Sequence, residues 1–502
     1  MDITNPDLVK IERGDDDLSF REIEPGKVYS RILIDQDSGR IVYELIEPQM
    51  EQRLQTVYSK YVKQYMNSGN RSVINISLES GGEKGKKPLP TDIYLDQRDA
   101  DVVRYYVERD VSRYGRITGL LLDPDVEDIS CEGAMKKIYV FTKEYGYIAT
   151  NVIFNDDNDL NFFIRKIVQD SGKNISIADP IVDSTLSDGS RIQASIGNYV
   201  TASGPAFSIR KFRKEPFTPL DLIRLGTASA EIFAYLWLCI EYGSNIMVTG
   251  GTASGKTVML NSILLFIPQN LKIITIEDTR ELRLPHENWL SLVSREGIGK
   301  NDPVTGKRTG EIDMFDLLTA SLRHRPNYIV IGEVRGREAF TIFQAMSTGR
   351  YGLATFHAED ISTLIHRLES KPINIPRSLI GSLDAAIVMG NFVFKGETKR
   401  RVKAVSEIMD VDSHHGEMTV NNVYSINTDD TFKSSEFSYL LAKIGNRYGI
   451  EVGVMERDVR IRKNILEGMI RRNMTTYGEF TNLIFSFYHD RDAVIESFKA
   501  DR

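Results

Sequence analysis

The sequence predicts an α/β protein of several units, and three observations carry that prediction. Its 502 residues exceed what one hydrophobic core organises, so three or four structural units are expected. In the second half, short apolar runs at 246–249, 272–277, 289–293, 328–331, 353–356 and 385–389 alternate with helical ones. That alternation implies a mainly parallel sheet with helices on both faces and ligand chemistry at the carboxyl ends of the strands. The first of these runs passes directly into Gly250-Gly251-Thr252-Ala253-Ser254-Gly255-Lys256-Thr257, which fits G-x-x-x-x-G-K-T.

Taken in order, residues 27–34 and 40–46 flank the turn Asp35-Gln36-Asp37-Ser38-Gly39 and read as a hairpin. Leu54, Tyr58, Tyr61, Val62 and Tyr65 then fall on one helical face, which reads as core. Residues 81–90 are polar and rich in breakers, a linker, so 1–95 is assigned to an N-terminal hairpin and helix module. A helix at 102–112 and a strand at 137–141 open a second α/β unit, 96–213. Pro216 and Pro219 mark a hinge, 214–222. The core follows over 223–390, and 391–502 is assigned to a hairpin (392–395 with 400–408) and helices near 437–448, 458–471 and 478–488.

Composition excludes more than it selects. A net charge of −7 argues against a protein that coats nucleic acid. The two cysteines, Cys131 and Cys239, lie too far apart in sequence for a ligand motif, so neither a disulfide framework nor a zinc site is expected, which fits a reducing cytosol. The most apolar window, 232–246, is interrupted by Glu241 and too short to span a bilayer, so a soluble protein is expected. His414-His415, between Ser413 and Gly416, reads as a loop without metal.

The chemistry concentrates at the ends of the apolar runs. Glycines 250, 251 and 255 let backbone N–H groups close around phosphate oxygens, at the positive end of the helix that starts there. With Thr252, Ala253, Ser254 and Val258 they define a nucleotide site. Lys256 can reach the β and γ phosphates, and the Thr257 hydroxyl can hold Mg²⁺. Glu277 and Glu333 end two strands; Glu333 fits the acid that holds or orients the metal and its water, and which of the two is the base stays open. His357 ends another strand and could sense the γ-phosphate. Charge building on a transferred phosphoryl needs cations, for which Arg191, Arg210 and Arg213, just before the hinge, are candidates. Arg323 and Arg325 end a helix and equally suit its dipole.

These boxes, in this order, resemble the secretion and type IV filament motor ATPases. Walker A is 250–257, the aspartate box surrounds Glu277-Asp278 and Glu281-Leu282, Walker B ends Gly332-Glu333-Val334-Arg335, and the histidine box is Thr355-Phe356-His357-Ala358. The region around residues 392–408 and the helices after it resembles archaeal members of the pilus and archaellum branch. The resemblance implies an N-terminal domain hinged to a RecA-like ATPase core with a helical C-terminal subdomain, using ATP and Mg²⁺. It also implies a homohexamer; the hinge motivates the further expectation of a cytoplasmic motor that pushes on a polytopic membrane platform protein, by rotation about 212–222. Residues 1–95 are candidates for docking that platform or a regulator. Asn327 departs from relatives with an aspartate before the Walker B strand. Two rival readings stand beside this one: a nucleic-acid-translocating motor, hinted at by Lys300, Lys307 and Arg308, and a nucleotide-gated scaffold with incidental turnover.

Overall fold

A computed structural model describes residues 8–68, 95–212, 215–295, 297, 307–394, 397–411 and 418–499, without positions 10, 12 and 15. The side chain of Tyr65, the stretch 81–90, Lys300, Arg213 and the His414-His415 pair lie outside the described residues. The chain divides into two compact units, Met1–Arg213 and Lys214–Arg502.

The first unit is organised by one sheet. Strands Asp17–Glu24, Val28–Ile34 and Ile41–Ile46 form an antiparallel meander, the second turn held by the Asp35 carboxylate, which accepts from the Asp37 N–H at 3.0 Å. Ile41–Ile46 then pairs in parallel with Gly146–Ile153, Val42 opposite Ala149 and Tyr43 opposite Thr150. Lys137–Thr142, Val126–Cys131, Ala206–Arg210, Arg191–Ser195 and Ile181–Thr185 continue the sheet antiparallel. The segments 1–95 and 96–213, separate in the sequence reading, therefore share a sheet and a core. The physical reason is an edge: Ile41–Ile46 has backbone donors and acceptors on both sides, and only one side is used by its hairpin partner. Strict alternation along the strands, with Ile138 and Val140 buried and Lys137 and Tyr139 exposed, turns one face toward helices Gln97–Val107 and Asp157–Asp170. The helix read at 102–112 is Gln97–Val107 followed by a π turn, Glu108–Ser112. Tyr58 keeps its ring against this core while its hydroxyl donates to Asp110 at 2.6 Å.

In the second unit all six apolar runs are strands, in the order Trp289–Val293, Ile273–Glu277, Tyr328–Val334, Tyr351–Phe356, Ile246–Gly250 and Ala385–Phe394, each parallel to the next. Alternate residues of the central strand enter two apolar layers, Ile246 and Val248 on one side and Met247 on the other, as expected of a sheet covered on both faces. Ala385–Phe394 runs on past residue 390 and turns back antiparallel as Glu397–Val411, followed by Met418–Ile426 and Phe432–Ser434. The hairpin thus extends the core sheet instead of starting a new subdomain. Helices Tyr439–Tyr448, Val452–Arg471, Tyr477–His489 and Arg491–Lys499 close the unit. They pack against the buried helix Ala230–Glu241, whose Trp237 indole donates to the Tyr488 hydroxyl at 2.8 Å. No described helix is long and apolar enough to cross a membrane.

The proposed linker is shorter than its prolines suggested. Pro219 opens helix Pro219–Arg224, where Thr218 and Asp221 cap each other's backbone N–H groups, and Leu220 and Leu222 enter the core of the second unit. Proline at the first helical position forfeits no hydrogen bond, so it begins this element where it was read as breaking one.

Candidate nucleotide site

The glycine-rich loop leaves the carboxyl end of the central strand and enters helix Lys256–Leu264. A Cβ on Gly250 would lie 2.6 Å from both the Met389 carbonyl oxygen and Ser254 Oγ, so only glycine fits between the neighbouring strand and the loop. Gly255, at φ +89°, takes the left-handed turn that starts the helix. Ala253 also has positive φ, +56°. Ser254 Oγ donates to the Gly251 carbonyl at 2.9 Å, and the Lys256 ammonium donates to the same oxygen at 2.8 Å, folded back over the loop it follows. Thr252 and Ala253 are exposed, and Thr257 and Val258 are half-buried in the first turn. Burial holds the Lys256 pKa below the ordinary lysine value, against the raising field of Glu333. A tight glycine cradle, a helix N-terminus and an ammonium in the field of an acid fit a phosphate chain and its metal.

The adjacent strands bring the acids to the same edge. Glu333 ends the strand two places from the loop; its side chain is 31% exposed and is bonded by Arg335. The Arg335 guanidinium also lies 3.9 Å from Asp278, so it spans the Walker B and aspartate boxes. Glu277, one strand further, is 2% exposed. Its Oε1 accepts from the backbone N–H groups of Glu281 and Leu282, each at 2.8 Å, while its Oε2 is buried with no hydrogen-bond partner among the described residues. Burial outweighs those two bonds and pushes the carboxyl up to about 7. Gly332 makes room for it, since a Cβ there would sit 3.1 Å from Glu277 Cγ. The sequence places both acids at strand ends without distinguishing them; the structure exposes Glu333 and encloses Glu277.

His357 follows the strand beside the loop and is half-buried. Its carbonyl accepts from Arg367, and Thr249 at the end of the central strand donates to the next carbonyl, Ala358, at 2.6 Å. The histidine box is thereby tied to the phosphate loop. Asn327 has a different place: Oδ1 accepts from the Lys272 N–H at 2.9 Å and its carbonyl accepts from the Tyr351 N–H. It pins the amino-terminal starts of three strands, at the sheet edge opposite the acids.

In the first unit, Arg191 and Arg210 stand directly opposite each other on neighbouring strands. Arg191 makes a two-pronged pair with Asp183 at 3.0 and 2.5 Å, whereas Arg210, with 81% of its side chain exposed, meets Asp128 at 3.3 Å. Arg213 lies outside the described residues. Arg335 was given no role by sequence reasoning, although it closes the Walker B segment; the one available signal was a cation two residues after the strand-end acid.

A parallel sheet with a glycine loop at the carboxyl end of its central strand, flanked there by a lysine and two acids, defines the nucleotide-binding P-loop class. Within that class the chain belongs to the type II/IV secretion system protein family, whose model matches residues 114–390. An uncharacterized protein of Methanocaldococcus jannaschii, MJ0900, is 38% identical over 401 residues, covering 79% of this chain and 71% of its own length. A second protein of that archaeon, MJ1287, is 41% identical over 277 residues, 55% of this chain and all of its own. A solved structure of the pilus retraction motor PilT with bound ADP aligns over 70% of this chain and 91% of its own at 18% identity, with a TM-score of 0.41.

Proposed function

We propose that the chain is an ATPase that turns the binding and hydrolysis of Mg·ATP into mechanical work for a filament or secretion machine. The observation that carries this reading is the glycine loop at the carboxyl end of the central strand, where the Lys256 ammonium folds back over the loop in the field of Glu333 and the buried carboxyl of Glu277 lies on the same sheet edge. In this reading the backbone of Gly250–Thr257 and Lys256 hold the phosphates, and the Thr257 hydroxyl and Glu333 hold the metal. Bound Mg²⁺ supplies charge neutralisation at the phosphoryl group. Glu277 is the base: a carboxyl near pH 7 with one unpartnered oxygen suits removal of a proton from water. His357 and Arg335 orient groups around the terminal phosphate. Arg191, Arg210 and Arg213 supply cations from the first unit, and Arg210, the more exposed of the described pair, is the leading one.

In this reading six such chains form a ring at the inner face of a membrane and act on a polytopic platform protein that assembles a pilus-like or archaellum-like filament, and membership of the type II/IV secretion system protein family supports it. The test is direct. Purified protein should hydrolyse ATP only with Mg²⁺, Lys256→Ala should lower kcat/KM by about a hundredfold or more, and Glu333→Gln should bind ATP without turning it over. A Lys256→Ala protein as active as the wild type would overturn the assignment.

A further inference from the structure

We propose that Arg400, carried by the hairpin that extends the core sheet, is a further nucleotide-binding residue, acting on the part of the molecule that ATP and ADP share. The inference rests on the ATPase reading of the phosphate loop and adds a residue to it.

Strand Ala385–Phe394 forms one wall of the loop, with Met389 in register with Gly250. The return strand reaches the loop through a side chain: a Cβ on Gly255 would lie 3.6 Å from Arg400 Cδ and 3.9 Å from Met389 Cε. A one-residue bulge sets this up. Val388 pairs with Ala404 but Met389 pairs with Val402, so Lys403 is the extra residue and Arg400 falls opposite Asn391. Without the bulge Arg401 would hold that register and every residue out to the hairpin tip would change face.

The two neighbouring arginines differ in how they are neutralised. Arg401 is buried and forks onto Asp430 at 2.8 and 3.0 Å, with a further bond to the Leu225 carbonyl at 2.9 Å. Arg400 is exposed and, among the described residues, its guanidinium has neither an ion pair nor a hydrogen bond. An uncompensated guanidinium on a side chain whose Cδ lies beside Gly255, the residue that precedes Lys256, is suited to an anion or to the face of an aromatic base.

Strand order says which end of the nucleotide it meets. The strands bearing His357 and Glu333 lie on one side of the central strand, and the hairpin lies on the other. The metal and terminal phosphate go with Glu333. Arg400 is left with the α-phosphate, ribose and base, present in substrate and product alike.

The test uses the full chain, a fluorescent ADP, a non-hydrolysable fluorescent ATP analogue and steady-state hydrolysis. Arg400→Gln should weaken both ligands to a similar extent, by about tenfold, and raise KM while leaving kcat within about twofold. Arg400→Lys should recover part of the loss. A merely structural role would lower the thermal midpoint and would not split KM from kcat in this way. Unchanged ADP affinity in Arg400→Gln would overturn the proposal, as would a fall in kcat with ADP binding intact, which would place the arginine at the terminal phosphate. Lys256→Ala run in parallel separates the failures. A wild-type protein that neither binds nor hydrolyses ATP overturns the ATPase reading and this one with it; a wild type inactivated by Lys256→Ala but indifferent to Arg400→Gln overturns this one alone.

Discussion

Glu277 and Glu333 are the same residue type at equivalent strand ends, and packing gives them opposite surroundings. Enclosure keeps Glu277 protonated up to about pH 7, whereas Glu333 is half-exposed and paired with Arg335. The native protein therefore holds a proton that the unfolded chain has released above its ordinary value near 4.5. Its contribution to stability is full below that value and is lost as pH rises through about 7. Glu277→Gln removes the titration, so its thermal midpoint should gain on the wild type between about pH 5 and pH 8 while turnover collapses. Parallel pH dependences would exclude the enclosed carboxyl. In the first unit, Arg210→Ala should lower kcat about tenfold or more with ADP affinity unchanged, the reverse of the Arg400 pattern. At this scale the sequence is generous with chemistry and silent on enclosure. A polar residue ending an apolar run marks Glu277 and Glu333 as strand-end acids. The burial of Glu277 depends on Gly332 from a neighbouring strand and on the fold-back of residues 281–282, which no local pattern encodes.

Elements were legible where one periodicity ran unbroken. The apolar runs of the core are strands because each has the length and β-branched content of a strand buried on both faces. The exceptions are places where one residue type serves two purposes. Thr218-Pro219-Leu220-Asp221 holds a reciprocal cap with proline at the first helical position, yet the proline is also a breaker. Thr218→Ala should cost about 1 kcal/mol in urea unfolding of the second unit, and no effect would mean that this cap does not hold the helix. The C-terminal helices depend on a second device, Arg462, fully buried between Trp237 and Phe487 and bonded to Glu241 and Asp458. Arg462→Leu leaves Glu241 without its cation and Asp458 with Arg491 alone, and should destabilise by about 3 kcal/mol. Heptad or moment arguments on helix Val452–Arg471 give no hint of it, because an arginine on a helix reads as surface until the partner helix is in place.

The chain forms two compact units, and everything proposed for the phosphates except the arginines of the first unit lies in the second. A fragment beginning at residue 214 should therefore unfold cooperatively by calorimetry and bind ADP as the full chain does, while hydrolysing ATP more slowly. A fragment without a cooperative transition would show that the second unit is not self-sufficient. At this scale the sequence says least. The shared sheet of the first unit hangs on the pairing of Val42 with Ala149 and Tyr43 with Thr150, two matches that nothing nearby in the chain announces. That join also has a consequence during synthesis. The opening meander leaves the ribosome with one rim of its third strand bare, and the segment that covers it is not translated until residue 153. Until then the nascent chain offers an open template for pairing with a stranger, so slower elongation lengthens the exposure and prompt shielding by chaperones shortens it.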